Sequence, residues 1–339
     1  MTARRFAPGI VGLCVAMFGA ASVALVQGQA ERHTGSPLQL VTTVVMPEVA
    51  GRIDHLALDQ TRQRLFVAAL GNDSVEVIDT AREVHLRSLH GFHEPQGVAV
   101  LPDLNAVAIA NGDSGTLQLL DAVTLQTRWT INIGGDADNV RYDAAARRVF
   151  VAYQGGIAAV DPAVARVVQR IQISGHPESF QLESQGTRLF ANVPGASEVI
   201  AADRSTVAAA VRWRTGACQA NYPMALDEGT HRLLIGCRRP ASLALFDTTG
   251  GKPLGAIPVV GDTDDLFYDA VRRRAYVLGG EGFVDVVQRE GDALRRIAHL
   301  PTRDGARTGM WVAEQSRLYI AVPARRGQPA EIRVFAASE

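Results

Sequence analysis

Lysine is almost missing from this chain of 339 residues, because Lys252 is its only lysine. Chemistry that needs a lysine, such as a Schiff base, therefore has a single candidate. Aromatic residues make up only 6% of the sequence, so aliphatic side chains and alanine must fill the core. The formal net charge of −1 leaves no excess of basic residues, and we expect no nucleic-acid partner.

Cysteine is also scarce, with one cysteine near the N terminus and two farther along the chain. The sequence contains no Cys-x-x-Cys-His motif, which excludes covalent c-type haem. The cysteine near the N terminus lies in an uncharged, mostly apolar run at residues 10–26, which follows Arg4 and Arg5. This pattern predicts a signal peptide at residues 1–30, with cleavage after Ala24 or Ala30 and a periplasmic or secreted protein. The alternative is an uncleaved membrane anchor.

A short segment led by arginine recurs along the rest of the chain. Copies begin at Arg64, Arg148, Arg188, Arg232, Arg274 and Arg317, and residues 105–109 fill the second position without the arginine. The seven copies are about 42 residues apart, a spacing typical of propeller blades. In each copy a short apolar strand precedes this segment, and a third and a fourth strand follow it.

These four-strand units predict an all-β fold, a seven-bladed β-propeller over residues 38–339. The seventh unit stops after its third strand, whereas an unassigned strand, Leu38–Met46, precedes the first unit. We expect this N-terminal strand to complete the last blade and so to close the ring, which leaves no open sheet edge.

The repeats resemble the YVTN-type, YncE-like family of bacterial β-propellers. The similarity lies in Val-Ala-Val-Leu-Pro-Asp at residues 98–103, Arg-Leu-Phe-Val-Ala at 64–68 and Val-Glu-Val-Ile-Asp at 75–79. The resemblance covers residues 38–336. It implies the propeller fold, but it is compatible with binding modules, lyases and non-catalytic parts of redox enzymes.

The loops that enter the innermost strands of a propeller gather on one face, around the channel. Two positions before these strands stand Asp54, Gln96, Asp138, Glu178, Tyr222, Asp264 and Thr308. One position before them stand His55, Gly97, Asn139, Ser179, Pro223, Asp265 and Gly309. Four positions before them stand Arg52, Glu94, Asp136, His176, Ala220, Asp262 and Ala306. Closure of the ring therefore predicts an acid-rich mouth of the channel, which is the face where these loops gather.

Three groups of candidate site residues follow from this mouth. The candidates for ligand binding are Asp54, Glu94, Asp138, Asn139, Asn221, Asp264, Asp265, Arg238 and Arg307. The candidates for a divalent cation, Ca²⁺ or Mg²⁺, are Asp54, Asp138, Glu178 and Asp264. The catalytic candidates are His55, His176 and Glu178. The alternative is that the acids bond the backbone of their own turns and that the arginines are solvated.

The sequence leaves three classes of function open. The first is a monomeric, exported binding or interaction module that takes a small molecule or a protein at the mouth and has no membrane contact after signal cleavage. The second is a metal-assisted lyase or lactonase-like hydrolase acting at the same face. Lyases of the virginiamycin B type are similar in placing a His and a carboxylate near the channel with a divalent ion. The counterparts by blade position are His176 with Glu178 and His55 with Asp54. An accessory subunit of a quinone- or haem-dependent dehydrogenase is a third class.

The two remaining cysteines, Cys218 and Cys237, are expected at strand ends on the mouth face of neighbouring blades. Cys218 would end the outer strand of the fourth blade, and Cys237 the arginine-led strand of the fifth. Export permits a disulfide between them, and the alternative is two buried thiols.

The signal sequence can be tested by the intact mass of the exported protein. We expect a mature N terminus directly after Ala24 or Ala30, because both alanines end small-residue cleavage patterns. A mass that retains residues 1–20 would instead establish an uncleaved anchor.

Overall fold

The computed structural model describes residues 35–206 and 210–339. The predicted signal peptide lies outside the described residues, so both its cleavage and the localisation stay predictions. Residues 35–339 form one compact unit. Within the described part of the chain, no helix has the length and apolar character needed to cross a membrane.

The unit contains seven antiparallel sheets of four strands, which are the predicted blades. Blade 1 comprises β2 (Leu56–Asp59), β3 (Arg64–Ala69), β4 (Ser74–Asp79) and β5 (Val84–His90). Blade 2 comprises β6 (Pro95–Leu101), β7 (Ala106–Asn111), β8 (Thr116–Asp121) and β9 (Thr127–Asn132). Blade 3 comprises β10 (Val140–Asp143), β11 (Arg148–Tyr153), β12 (Gly156–Asp161) and β13 (Arg166–Gln172). Blade 4 comprises β14 (Phe180–Leu182), β15 (Arg188–Val193), β16 (Glu198–Asp203) and β17 (Val211–Arg214).

The second half of the ring repeats this order. Blade 5 comprises β18 (Gln219–Asp227), β19 (Arg232–Arg239), β20 (Ala241–Asp247) and β21 (Pro253–Pro258). Blade 6 comprises β22 (Thr263–Asp269), β23 (Arg274–Gly279), β24 (Phe283–Glu290) and β25 (Ala293–Pro301). Blade 7 comprises β26 (Thr308–Val312), β27 (Arg317–Val322), β28 (Ala330–Ala337) and β1 (Leu38–Met46). In every blade the first-named strand is the innermost, so each arginine-led strand is the second one.

The two ends of the chain pair in blade 7, as the sequence predicted. Strand β1 lies antiparallel to β28, with Leu38 opposite Ala337 and Met46 opposite Ala330. The Ser338 N–H also donates a hydrogen bond to the carbonyl of Pro37 at 3.1 Å. The predicted fold class and the closure of the ring are therefore confirmed.

Apolar side chains from neighbouring blades pack together between the sheets. The described residues form seven buried apolar clusters, and each joins one blade to the next around the ring. The cluster between blades 7 and 1 includes Met46 from the N-terminal strand, Leu65 from β3 and Ile332 from β28, all fully buried. The core is thus a ring of interfaces, and it needs every blade.

The aspartate that ends the third strand is a turn residue. The Asp79 Oδ1 accepts hydrogen bonds from the N–H groups of Ala81 and Arg82, at 3.0 and 2.9 Å. The carboxylate of Asp121 does the same in blade 2 for Val123 and Thr124. The Val-Glu-Val-Ile-Asp motif of the repeat therefore encodes the turn after the third strand.

Closure can be tested by removing β1. A mature chain that starts after Met46 should melt well below one that starts at Gly35, because blade 7 loses its outer strand and β28 becomes an open edge. The chain from Gly35 is the matched control, since it keeps the Pro37 contact with Ser338. Equal melting temperatures in calorimetry would contradict the closure.

Candidate functional site

The mouth of the channel is built from the loops that precede the inner strands. In three blades the residue two positions before the strand donates its N–H to the second strand. These bonds run from Asp54 to Ala68 (2.7 Å), from Asp138 to Ala152 (2.9 Å) and from Glu178 to Asn192 (3.0 Å). The backbone of each of these three acidic residues is therefore fixed by a hydrogen bond to the second strand of its own blade.

A glycine allows the blades to approach each other closely at this face. A Cβ on Gly97, in blade 2, would lie 2.1 Å from the carbonyl oxygen of Asp138, in blade 3. A side chain at this position would push Asp138 away from its place.

Asp138, His176 and Glu178 form the cation group, a name kept below for these three residues. One ligand atom from each lies within 4.8 Å of the others. His176 Nε2 is 3.9 Å from Glu178 Oε1, and its Nδ1 is 3.6 Å from Asp136 Oδ2. Asp138 is only 5% exposed, and its Oδ1 accepts no hydrogen bond from the described residues. Two carboxylates and an imidazole are a set of side chains that can hold a metal ion.

The protonation of this group follows from burial and crowding. Burial raises the pKa of Asp138 well above its usual range, and the carboxylate of Asp54 adds to the rise. Burial also raises the pKa of Glu178, and the negative charges of Asp138 and Asp264 raise it further. Burial lowers the pKa of His176, against the attraction of Asp136. The cation group thus presents a neutral imidazole beside two carboxyl groups that hold their protons unusually firmly.

His55 lies between three aspartates. Its Nδ1 is 3.5 Å from Asp265 Oδ1, and its Nε2 is 3.7 Å from Asp54 Oδ1 and 3.9 Å from Asp138 Oδ1. Burial by itself would lower the pKa of His55, but the carboxylates of Asp265 and Asp54 outweigh it and raise the pKa to about 10. His55 is therefore an imidazolium at neutral pH, which suits a counter-ion and not a metal ligand or a general base.

Arginines neutralise the carboxylates on the other side of the mouth. Arg238, from blade 5, donates to Asp264 Oδ1 at 2.6 Å, and its guanidinium lies 3.7 Å from the ring centroid of Tyr222. Arg307, from blade 7, lies 2.9 Å from Asp264 Oδ2 and donates to both oxygens of Asp262 at 3.0 and 2.8 Å. Asp264 and Asp262 thus lie between two guanidinium groups, although burial and the carboxylate of Asp54 still raise the pKa of Asp264 to about 6.

Among the other candidate residues, two are tied into the scaffold. Asp265 Oδ2 accepts the N–H of Gly309 from blade 7 at 2.8 Å. The Asn221 amide donates to Asn192 Oδ1 at 2.8 Å and to the carbonyl of Glu198 at 2.9 Å. Both side chains therefore join neighbouring blades.

The last two candidates differ in exposure. Asn139 is 2% exposed, and its Oδ1 has no hydrogen-bond partner among the described residues. Glu94 is exposed, and its backbone N–H donates to Asp73 Oδ1 at 2.8 Å. Of these two residues, only Asn139 therefore offers a buried acceptor to a ligand.

Four charged residues of the mouth were not among the predicted site residues. Arg52 donates to Asp54 Oδ2 at 2.7 Å, while Asp136 and Asp262 contact His176 and the two arginines as described. These three residues stand four positions before an inner strand, and this shared position identifies them in the sequence as residues of the mouth. Arg141 is the fourth, and it lies on the inner strand β10 itself, where blades 1, 2 and 5 have alanine.

The sulfur atoms of Cys218 and Cys237 are bonded, with 5.3 Å between the two Cα atoms. Their placement differs from the sequence prediction, because β17 already ends at Arg214. Strands β18 and β19 pair as far as Gln219 with Arg239 and Asn221 with Cys237. The disulfide therefore links Cys237 of β19 to the residue just before β18, and Arg238 and Arg239 are the last two residues of β19.

Comparison with known proteins gives one family and many structures. The profile of the YNCE-like beta-propeller family matches residues 38–297. Curated protein sequences give no match. A chain of the Kuenenia stuttgartiensis hydrazine synthase has a TM-score of 0.70 at 14% identity, and the alignment covers 79% of this chain and 91% of that one. A chain of a mitotic checkpoint complex has a TM-score of 0.72 at 11% identity, with coverages of 97% and 99%. At these identities the two structures show the fold alone.

The crowding of acids predicts a characteristic pH dependence of stability. Asp138 and Glu178 have raised pKa values in the folded state, so the folded protein binds more protons than the unfolded chain above about pH 5. His55, with its pKa raised from 6.5 to about 10, acts in the same direction at higher pH. Stability should therefore fall as the pH rises from about 5 to about 9.

Calorimetry of the double variant Asp138→Asn/Glu178→Gln measures the share of these two acids. Between about pH 5 and pH 9 the unfolding free energy of the parent should fall. In the double variant this fall should be smaller by more than about 1.4 kcal/mol, the equivalent of one pKa unit. Asp113→Asn, which changes an exposed carboxylate, is the control and should follow the parent. A double variant with the slope of the parent would show that the two acids titrate normally.

Proposed function

Because the chain belongs to the YncE-like β-propeller family, as its repeats predicted, we propose that it is an exported binding module that works at its channel mouth. A propeller brings loops from every blade to one face, which suits a binding or interaction role. In this proposal the protein is a monomer in the periplasm or outside the cell. Its ligand is a small molecule or a protein that engages the mouth together with a divalent cation.

The observation that carries this proposal is the geometry of the cation group. Three ligand atoms from two neighbouring blades converge within 4.8 Å, and the buried Asp138 Oδ1 lacks a hydrogen-bond partner among the described residues. A buried carboxylate oxygen without a partner is costly. A bound cation would satisfy this oxygen and would replace the protons that Asp138 and Glu178 otherwise hold.

The donor types favour some ions over others. Ca²⁺ and Mg²⁺, the ions expected from the sequence, prefer ligand sets made only of oxygen. The neutral imidazole of His176 adds a nitrogen donor, which suits Mn²⁺ or Zn²⁺ at least as well. We therefore propose a divalent cation bound by Asp138, Glu178 and His176. Asp54 and Asp264 are not ligands in this proposal, because each forms an ion pair with an arginine.

A metal-assisted lyase or lactonase-like hydrolase remains the second candidate. The feature that favours it is the same convergence of Asp138, His176 and Glu178. A cation held by these side chains would polarise a substrate carbonyl or lower the pKa of a bound water molecule. His55 does not serve this role, since its imidazole holds a proton at neutral pH.

Titration calorimetry with Mn²⁺, Ca²⁺ and Mg²⁺ tests the cation group. We expect one Mn²⁺ per chain, and the double variant Asp138→Asn/Glu178→Gln should bind it more than about tenfold more weakly, because two ligands lose their charge. Asp113→Asn is again the matched control and should bind like the parent. Absence of Mn²⁺ binding, or equal binding by the parent and the double variant, would overturn the proposed cation site.

A further inference from the structure

Arg141 is a charged side chain inside the ring that the cation group does not use. It is the second residue of the inner strand β10, and its backbone pairs with Phe150 of β11. Its Nη1 donates to the carbonyl of Val140 at 2.9 Å, and the guanidinium lies 5.5 Å from the ring centroid of Phe180 in blade 4. One hydrogen bond and one ring contact leave most of the five N–H donors of a guanidinium without a protein acceptor.

Arg141 also lacks an ion pair. Among the described residues, no carboxylate oxygen lies within 4.0 Å of its guanidinium nitrogens. The other arginines near the mouth differ, since Arg52, Arg238 and Arg307 each contact an aspartate. Arg141 is half-buried, so its remaining N–H donors stay accessible, and an anion from outside the chain could supply the missing partner.

The position of Arg141 places this anion beside the cation group. Asn139 and Arg141 are two residues apart, and the Asn139 carbonyl accepts the N–H of Ala152, which continues the strand ladder. Asn139 directly precedes β10, and residues two apart along an extended chain share a face, so we expect both side chains on the same side of blade 3. Burial lowers the pKa of Arg141, whereas the carboxylates of Asp265 and Asp138 lie close enough to act in the opposite direction.

Asn139 adds a second feature that points to a ligand. Its side chain is 2% exposed, and its Oδ1 accepts no hydrogen bond from the described residues. An acceptor in this position is satisfied by a hydroxyl or an amine of a bound molecule. The unpaired donors of Arg141 and the unpaired acceptor of Asn139 therefore lie two residues apart beside a candidate cation site.

We propose that Arg141 binds the carboxylate of a small organic acid, whose hydroxyl or amine donates to Asn139 and which is held next to the cation of the Asp138–His176–Glu178 group. The inference rests on the proposed function, because it names the class of small molecule that joins the cation there. A guanidinium is well suited to this task, since its planar donors match the two oxygens of a carboxylate.

Lactate is a suitable probe, because it carries one carboxylate and one hydroxyl. Titration of the mature protein with Mn²⁺ should show about fivefold tighter binding in sodium lactate than in sodium chloride of equal ionic strength. Lactamide, the uncharged analogue, should not tighten Mn²⁺ binding. Arg141→Met should lose the lactate effect, Arg141→Lys should keep part of it, and Arg87→Met, which changes an exposed arginine on β5, should keep all of it.

Each outcome separates this inference from the proposed cation site. Tight Mn²⁺ binding with no lactate effect, or with the same effect in Arg141→Met, would overturn the role of Arg141 and leave the cation site in place. Absence of Mn²⁺ binding would overturn the cation site. If lactate then still raised the melting temperature of the parent but not that of Arg141→Met, the anion site would stand alone. A melting temperature of Arg141→Met near that of the parent in chloride verifies that this variant folds.

Discussion

The pairing of β1 with β28 is the constraint on which the rest of this molecule depends. A propeller blade buries its two faces against its neighbours, so an open ring would leave two faces and one sheet edge exposed to water. The register from Leu38 opposite Ala337 to Met46 opposite Ala330 supplies the missing strand of blade 7. It also brings β26 against β2, which allows residues more than 200 positions apart to share one mouth. His55 and Asp265 meet at 3.5 Å for this reason.

Ring closure has an electrostatic cost, because it collects carboxylates that the sequence keeps far apart. On the side formed by blades 5, 6, 7 and 1, guanidinium groups offset this charge, as Arg238 and Arg307 do for Asp264. Blades 3 and 4 carry no such arginine partner for Asp138 or Glu178 among the described residues. Burial and mutual repulsion therefore raise the pKa values of both acids. The imidazolium of His55, 3.9 Å from Asp138 Oδ1, offsets this charge only in part, so we expect positive charge to bind on this half of the mouth.

The strands and the closure could be predicted because a repeat fixes them many times over. Each arginine-led segment lies in the second strand of its blade, and the residues before the inner strands do converge. The pairing within the mouth could not be predicted, because it depends on how far long side chains reach between blades. Arg307 reaches both Asp262 and Asp264 from the next blade, whereas Glu94 occupies the equivalent of His176 and stays exposed. The repeat gave no signal for Arg141, because the inner strands of the other blades carry no charged residue at this position.

The residues that recur in most copies differ in role from those that vary. The arginine that begins the second strand often ties one blade to the next, as Arg64 does through the carbonyl of Ala122, Arg188 through Thr248 and Arg274 through Ser338. The aspartate that ends the third strand caps its turn in the same way from blade to blade. These are scaffold contacts, and the repeat preserves them in most blades. At the mouth the equivalent positions hold an aspartate, a glutamate, a tyrosine or a threonine, and a scaffold that needs the same contact in each blade would not vary in this way. Departure from the repeat is therefore the signal for binding chemistry in this fold, and Arg141 departs from it most clearly, as a charge in a column that is otherwise uncharged.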